Sequence, residues 1–342
     1  MKTKLIAAML SLTFSNLLAQ TISKQEKDAV FSKAKEEFSK TYHFKEKIPA
    51  TVEYLDRQWA SGKYNSINQR NEFTDSLASD FKSVTRDGHL NFFLRAKETA
   101  KMGESAQNVP WHLLNPRFLN NGLTAVEILP GDIGYMRIQA FGSLDELLPS
   151  AFTFVANTQA LIIDLRGNGG GMLSNGVSSY LLPADSIHLV TITWNERVDS
   201  IRTINKLKGP RYLDKPVYLL TDKGTYSSAE EFAYDLQALK RVTIVGETTG
   251  GGANPGGTVP VYTFTDGTRI DFFIPTGRVQ NAITKTNWEG KGVVPEVETS
   301  SSEALHKAQT LALKAIHQSA KDPFIKKQYM QILSKHEKET SK

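Results

Sequence analysis

The chemistry in this chain begins at Thr225-Tyr226-Ser227-Ser228-Ala229-Glu230-Glu231-Phe232. The stretch follows an apolar run, Val217-Tyr218-Leu219-Leu220, of strand length, and the turn residues Thr221-Asp222-Lys223-Gly224. Phe232, Leu236 and Leu239 then recur at helical spacing, so a helix starts near Ser227 or Ser228 and either hydroxyl can cap it. A serine on a strand-to-helix turn stands above a sheet, beside unpaired backbone N–H groups and the positive end of the helix dipole. That setting activates a nucleophile, although a plain helix cap accounts for the same serines and this stretch alone leaves both readings open. Glu230, one helical turn after Ser227, is placed to position the serine, the helix end or a substrate amine; an ordinary first-turn acid has the same spacing.

Two more segments carry polar chemistry. Arg166-Gly167-Asn168-Gly169-Gly170-Gly171 follows the buried-strand pattern Ala160–Leu165 and precedes a helical segment. Its spacing matches neither GxGxxG nor GxxxxGK[ST], which leaves close approach of backbone N–H groups to an anionic centre, such as the oxyanion of acyl transfer. His89 sits in Thr85-Arg86-Asp87-Gly88-His89-Leu90-Asn91-Phe92, where a turn feeds a short strand. On its own it is as readily structural as catalytic. The seven histidines stand singly with no HExxH, and there is no cysteine, so nothing calls for a metal or an organic cofactor.

The elements that must position these groups fall into two patterns. From Thr21 to about Val84 three amphipathic segments predict a small antiparallel helical bundle, with Ser61–Asn65 as one connection. From Leu123 strands and helices alternate. Strands are expected at Ala125–Leu129 and Ile133–Ile138 around Pro130-Gly131-Asp132, at Leu189–Trp194 and at Val242–Val245, and a helix over about 143–157. A hairpin from Val259 to Ile274 is expected to turn at Asp266-Gly267 as a two-residue primed turn. Trp288–Glu296 forms a tight loop, a helix over about 302–316 closes the domain, and the basic tail after Lys335 frays. The expected division is a signal segment 1–19, a helical bundle 20–94, an α/β core 95–318 and a helical tail 319–342.

Lys2 and Lys4, the apolar run Leu5–Leu12 and the small residue at Ala19 follow the order of a secretory signal, with the mature chain starting at Gln20 or Thr21. An uncleaved anchor fits less well, because polar residues interrupt the short apolar segment; no other stretch is long enough to span a bilayer. The address is therefore periplasmic or secreted. The net charge of +5 is spread among interspersed acids rather than clustered, which argues against nucleic acid as a partner.

With RGNGGG after one buried strand, TYSSAEEF after a second and VGETTGG after a third, residues 120–300 resemble the C-terminal processing (tail-specific) family of serine peptidases. The resemblance implies an α/β fold with a crotonase-like (ClpP/crotonase-type) core. It puts Ser227 on the nucleophile and the N–H groups of Gly170 and Ser228 on the oxyanion hole. Two features depart from the processing enzymes: Gly250-Gly251-Gly252 occupies the loop of their lysine base, and no stretch is large enough for their PDZ domain. Both point to the branch that looks like the tricorn protease core, the nisin-resistance proteins and the interphotoreceptor retinoid-binding protein. In the peptidases of that branch a histidine, in a context similar to Asp87-Gly88-His89, is the base, and Glu289 falls where tricorn-type sites carry a further glutamate.

The resemblance thus implies an exported serine peptidase acting on peptides or unfolded protein through Ser227, His89, Glu230 and Glu289. An unperturbed histidine, with a pKa of about 6.5, suits the task, and activity is expected to rise near neutrality. A non-catalytic carrier of hydrophobic ligands on the same fold is the alternative. A lipase of the α/β-hydrolase kind lacks its GxSxG elbow.

Overall fold

A computed structural model describes residues 21–96, 116–183 and 186–339. The signal segment expected at 1–19 lies outside them. The first half of the chain forms helices α1 (Lys24–Thr41), α2 (Ile48–Ala60) and α3 (Arg70–Thr85), strands β1 (Asn91–Arg95), β2 (Leu123–Leu129) and β3 (Ile133–Ile138), helix α4 (Leu148–Val155), strand β4 (Ala160–Asp164) and helix α5 (Asn175–Leu181). The second half forms β5 (His188–Trp194), β6 (Val198–Arg202), β7 (Val217–Thr221), α6 (Ser228–Ala238), β8 (Thr243–Gly246), β9 (Gly256–Thr263), β10 (Arg269–Pro275), β11 (Gly277–Asn281), β12 (Val297–Glu298), α7 (Ala304–Ser319) and α8 (Pro323–Glu339).

The chain divides into two units, and the N-terminal one takes in Asn254–Arg278 and Trp194–Arg197 as well as the helices. The reason lies in β1, which carries unpaired backbone groups and finds its partner in β10, giving a three-stranded sheet in the order β1-β10-β9. Phe38, Phe73 and Phe81 of the bundle form one apolar core with Val261, Phe264, Ile270 and Phe272 of the hairpin, and Phe92 stacks on Phe272 with ring centroids 4.1 Å apart. Arg70 ties the hairpin's tip down, pairing with Asp266 at 2.7 Å and lying over the Phe264 ring. The tip is not the two-residue primed turn expected. Gly267 N–H closes a turn onto Phe264 O at 2.9 Å, and only Gly267, at φ +84°, has positive φ there.

The second unit is built on a six-stranded sheet ordered β12-β8-β7-β4-β3-β2, parallel except for the β2–β3 hairpin. Its central strands β4 and β7 are buried throughout, which their uninterrupted apolar runs require. Ala304, Ala308, Ala312, Leu313 and Ile316 of α7 cover Ile133, Ile162, Tyr218, Leu220 and Val245, the small residues letting helix and sheet approach closely. Tyr329, Ile332 and Leu333 of α8 also pack on this core, and the helix continues to Glu339 where fraying was expected. Because β4, β7 and β8 are adjacent and parallel, the loops leaving their carboxyl ends share one edge of the sheet. Those loops hold the glycine cluster, the serine turn and the VGETTGG stretch.

Candidate active site

Ser227 is the N-cap of α6 and holds φ +57°, ψ −124°, a conformation that side-chain-bearing residues avoid at a cost of about 1–3 kcal/mol. A plain cap needs no such strain, since caps rest in the extended region. The turn that imposes it is stitched at the backbone level. Asp222 Oδ1 accepts from Gly224 N–H (2.9 Å), Thr225 N–H (3.1 Å) and, across to the glycine loop, Gly167 N–H (2.9 Å). The Thr225 hydroxyl donates to Leu165 O, and Tyr226 N–H donates to Asn168 O at 2.8 Å.

The glycine loop lies directly against this elbow. Gly170 has φ +92°, and a Cβ there would stand 2.8 Å from Ser227 Cβ, 2.9 Å from Tyr226 O and 3.1 Å from Ser228 N. Only glycine fits, and its backbone borders the serine. Among the described residues the Ser228 N–H has no acceptor, as expected of the first residue of a helix. The Gly170 N–H, by contrast, is engaged by Asn168 Oδ1 at 2.8 Å. The loop's shape comes partly from Asp164, which Arg166 grips at 2.9 Å and 2.6 Å. Burial alone would raise the Asp164 pKa, but the Arg166 guanidinium holds it below the ordinary carboxylate value.

Glu230 is fully buried, and both of its oxygens are spent on the elbow and the loop after β8. It accepts from Ser227 N–H (3.0 Å), Gly251 N–H (2.6 Å), Gly252 N–H (2.8 Å) and the Thr249 hydroxyl. Burial pushes its pKa up, and these donors pull the other way. Committed in this way, Glu230 is a positioning residue rather than one that meets substrate. Gly250 and Gly252 lie against the ring of Tyr226: a Cβ at Gly252 would lie 2.1 Å from its Cζ, and one at Gly250 2.7 Å from its Cδ2. No lysine side chain fits at either position, and Lys285 and Lys291 are exposed. Glu289 arrives through the Trp288–Val293 loop, which is zipped to the same stretch by Trp288 Nε1–H donating to Gly252 O and Val293 N–H to Thr249 Oγ1. Its Oε2 accepts from Ala253 N–H at 2.6 Å.

His89 belongs to the N-terminal unit, half-buried in the turn before β1, and its ring lies 5.7 Å from that of Phe273. The backbone N–H of His89 donates to Asp87 Oδ1, while Asp87 Oδ2 accepts from Asn254 Nδ2 (3.1 Å) and the Tyr42 hydroxyl (3.3 Å). Burial, with the Lys82 ammonium adding to it, lowers the His89 pKa to about 4, well below the unperturbed value expected from sequence. The imidazole is therefore neutral and able to accept a proton over the whole physiological range.

Three positioning residues went unread in the sequence. Asn168, fully buried, donates through Nδ2 to Ile138 O while its Oδ1 and carbonyl hold Gly170 and Tyr226. Asp222 and Thr249 join loops in the same way. An Asp-Lys-Gly-Thr turn carries an Asx-type signal that marks Asp222, and Asn168 carries the same kind through its bond to the N–H two residues on, but nothing local marks Thr249, whose partners lie on distant segments.

Comparison with known proteins follows the same geometry. Residues 132–299 match the model of peptidase family S41, and residues 19–120 match the N-terminal domain of Peptidase_S41 in eukaryotic IRBP. The chain belongs to peptidase family S41. Among its relatives in the family, the chloroplastic C-terminal processing peptidase of Tetradesmus obliquus is 31% identical over 38% of this chain, and the carboxyl-terminal-processing protease of Synechocystis sp. is 30% identical over 36%. The match spans 29% of the length of each of these relatives. A lipoprotein from Streptococcus agalactiae has a similar fold, with a TM-score of 0.53 at 18% identity, covering 84% of this chain and 96% of that one. Among the described residues no helix is long and apolar enough to cross a membrane.

Proposed function

We propose that this S41 member is an exported serine peptidase that cleaves peptides or unfolded protein, with Ser227 as nucleophile and His89 as general base. The observation that carries the reading is the strained Ser227 with Gly170 against it, since a carrier has no need of a strained serine. In this reading His89 takes the Ser227 proton as Oγ attacks the scissile carbonyl. The oxyanion receives the Ser228 N–H and the positive end of α6, with the Gly170 N–H shared between it and Asn168 Oδ1. His89 then returns the proton to the departing amine, and water releases the acyl group by the same path in reverse. Glu230 holds the elbow, and Glu289 orders the loop beside it.

The nucleophile stands on an α/β core that we read as crotonase-like. Labelling of the mature protein with a fluorophosphonate probe tests the assignment, with the adduct expected on Ser227 and lost in Ser227→Ala. A protein that turns over peptides yet is labelled elsewhere, or not at all, contradicts it. Mass spectrometry of the mature N-terminus tests export, with a chain beginning at Gln20 or Thr21 expected and one retaining Met1 opposing it.

A further inference from the structure

Ser228, Glu231 and Asp235 follow one another at i, i+3 and i+7, so they form a single stripe along α6, on a face distinct from that of Glu230. All three are buried, at 9%, 5% and 1% exposure. Asp235 is pinned from outside the helix: Asn281, at the end of β11, donates through Nδ2 to Asp235 Oδ1 at 2.7 Å. The orientation of that amide is fixed at its other end, where Asn281 Oδ1 accepts from Ile283 N–H (2.8 Å) and Thr284 N–H (2.9 Å). Ser174, 1% exposed and just past the glycine loop, brings its hydroxyl beside the Glu231 carboxyl.

What sets the stripe apart is what it lacks. Among the described residues Glu231 Oε1, Asp235 Oδ2 and the Ser228 hydroxyl make no hydrogen bond, and the Ser174 hydroxyl reaches the Glu231 carboxyl only weakly. Buried oxygens left in this state are costly, and two carboxylates one helical turn apart repel as well. Among the described residues no opposing charge relieves them: burial, the Glu231–Asp235 repulsion, Ser174 and Asn281 are the influences on the pair. Of the neighbouring elements, α5 offers only Tyr180, whose hydroxyl donates to Lys208 O, and β8 offers no titratable side chain. Arg278 of β11 is exposed, and on α6 itself Glu230 is spent on the elbow while the Tyr234 hydroxyl meets Thr284 and Thr286. A single proton on the pair turns an orphan acceptor into a donor and removes the repulsion.

We propose that Glu231 and Asp235 are a carboxyl pair sharing one proton, which clamps the first turn of α6 to the end of the glycine loop and so positions the Ser227 elbow. The stripe touches both segments that border the serine, Ser228 in the elbow and Ser174 after Gly169-Gly170-Gly171, so its loosening is felt at the oxyanion site. The positioning role rests on the serine-peptidase reading; the shared proton does not. Burial raises the Glu231 pKa to about 7 and that of Asp235 well above its ordinary value. A carboxyl whose folded pKa is raised binds more protons folded than unfolded. Stability from the pair is therefore full at low pH and is lost as pH rises from the unfolded value through the folded one.

Thermal and urea unfolding of the mature protein, Glu231→Gln and Asp235→Asn between pH 5 and 9, alongside the rate of fluorophosphonate labelling, tests this. The wild-type unfolding constant is expected to rise by on the order of a hundredfold more than that of Glu231→Gln as pH increases across this range. Wild-type labelling should slow over the same interval, and Glu231→Gln should hold its rate. Parallel stability profiles for wild type and Glu231→Gln overturn the proposal. So does a sodium- or calcium-dependent stabilisation that Glu231→Gln abolishes, which would put a metal cation where the proton is placed. A wild-type stability profile as expected with no labelling at any pH leaves the pair standing and removes the peptidase reading. Should the variants fail to fold, difference infrared spectroscopy of the wild type decides, since a protonated-carboxyl band that bleaches between pH 6 and 9 is required.

Discussion

The serine elbow and the histidine turn solve opposite problems. The elbow is over-determined: Asp222, Asn168 and Glu230 bind its backbone from three directions, and Gly170 and Gly252 leave no room for it to relax. The histidine turn is held more lightly, by Asp87 with Tyr42 and Asn254, and its decisive property is a titration brought low by burial. One region stores geometry and the other stores a proton affinity. A nucleophile gains from being fixed in a strained pose, whereas a base gains from staying neutral at working pH.

The sharpest way to break this contrast is to remove one member of each region. Ser227→Ala and His89→Ala are each expected to lower peptide turnover by about a thousandfold or more, and the double variant should be no worse than either, because the two act as a unit. Near-normal turnover in His89→Ala, with loss in Lys285→Ala or Lys291→Ala, would hand the base to a lysine. Next in size is Gly170→Ala, whose methyl group would meet the elbow; labelling of Ser227 should fall by about a hundredfold while the far-ultraviolet circular dichroism spectrum stays unchanged.

Glu230→Gln should cost about 3 kcal/mol in urea unfolding, because an amide group cannot accept from all the N–H donors now served by the carboxylate. A cost near zero would show that the elbow is held by other contacts. The acid limb of kcat/KM should track a group near pH 4 rather than neutrality. The linked stability has the opposite sign to that of the Glu231–Asp235 pair: a histidine lowered from 6.5 to about 4 binds fewer protons folded than unfolded, so stability is lost as pH falls through that window. His89→Ala should flatten this acid-side loss in a thermal-unfolding series. The smallest effect belongs to strain itself, where Ser227→Gly is expected to stabilise the fold by about 1 kcal/mol relative to Ser227→Ala, since only glycine is at ease at that φ.

Much of the site was written locally. The three loops could be read because each follows an uninterrupted apolar run, the mark of a strand buried on both faces, and because glycine and serine clusters announce turns wherever they occur. Ser227, Gly170 and Ser228 come together for that reason, and Gly250 and Gly252 of the third loop crowd Tyr226 where a lysine would otherwise stand. What local pattern does not carry is pairing between distant strands. That pairing moved the Gly256–Pro275 hairpin from the α/β sequence into the N-terminal unit, and it made Asn168 and Thr249 structural keystones. Desolvation is equally invisible in a linear sequence. Glu230 and Glu231 are adjacent and chemically identical, yet one meets a ring of donors and the other keeps an oxygen that no described donor serves. His89 lost its ordinary pKa to its surroundings in the same way. Residue type and spacing determined which groups this protein can use; only the tertiary structure decided which of them are charged, because charge depends on the water and the partners that folding takes away or supplies.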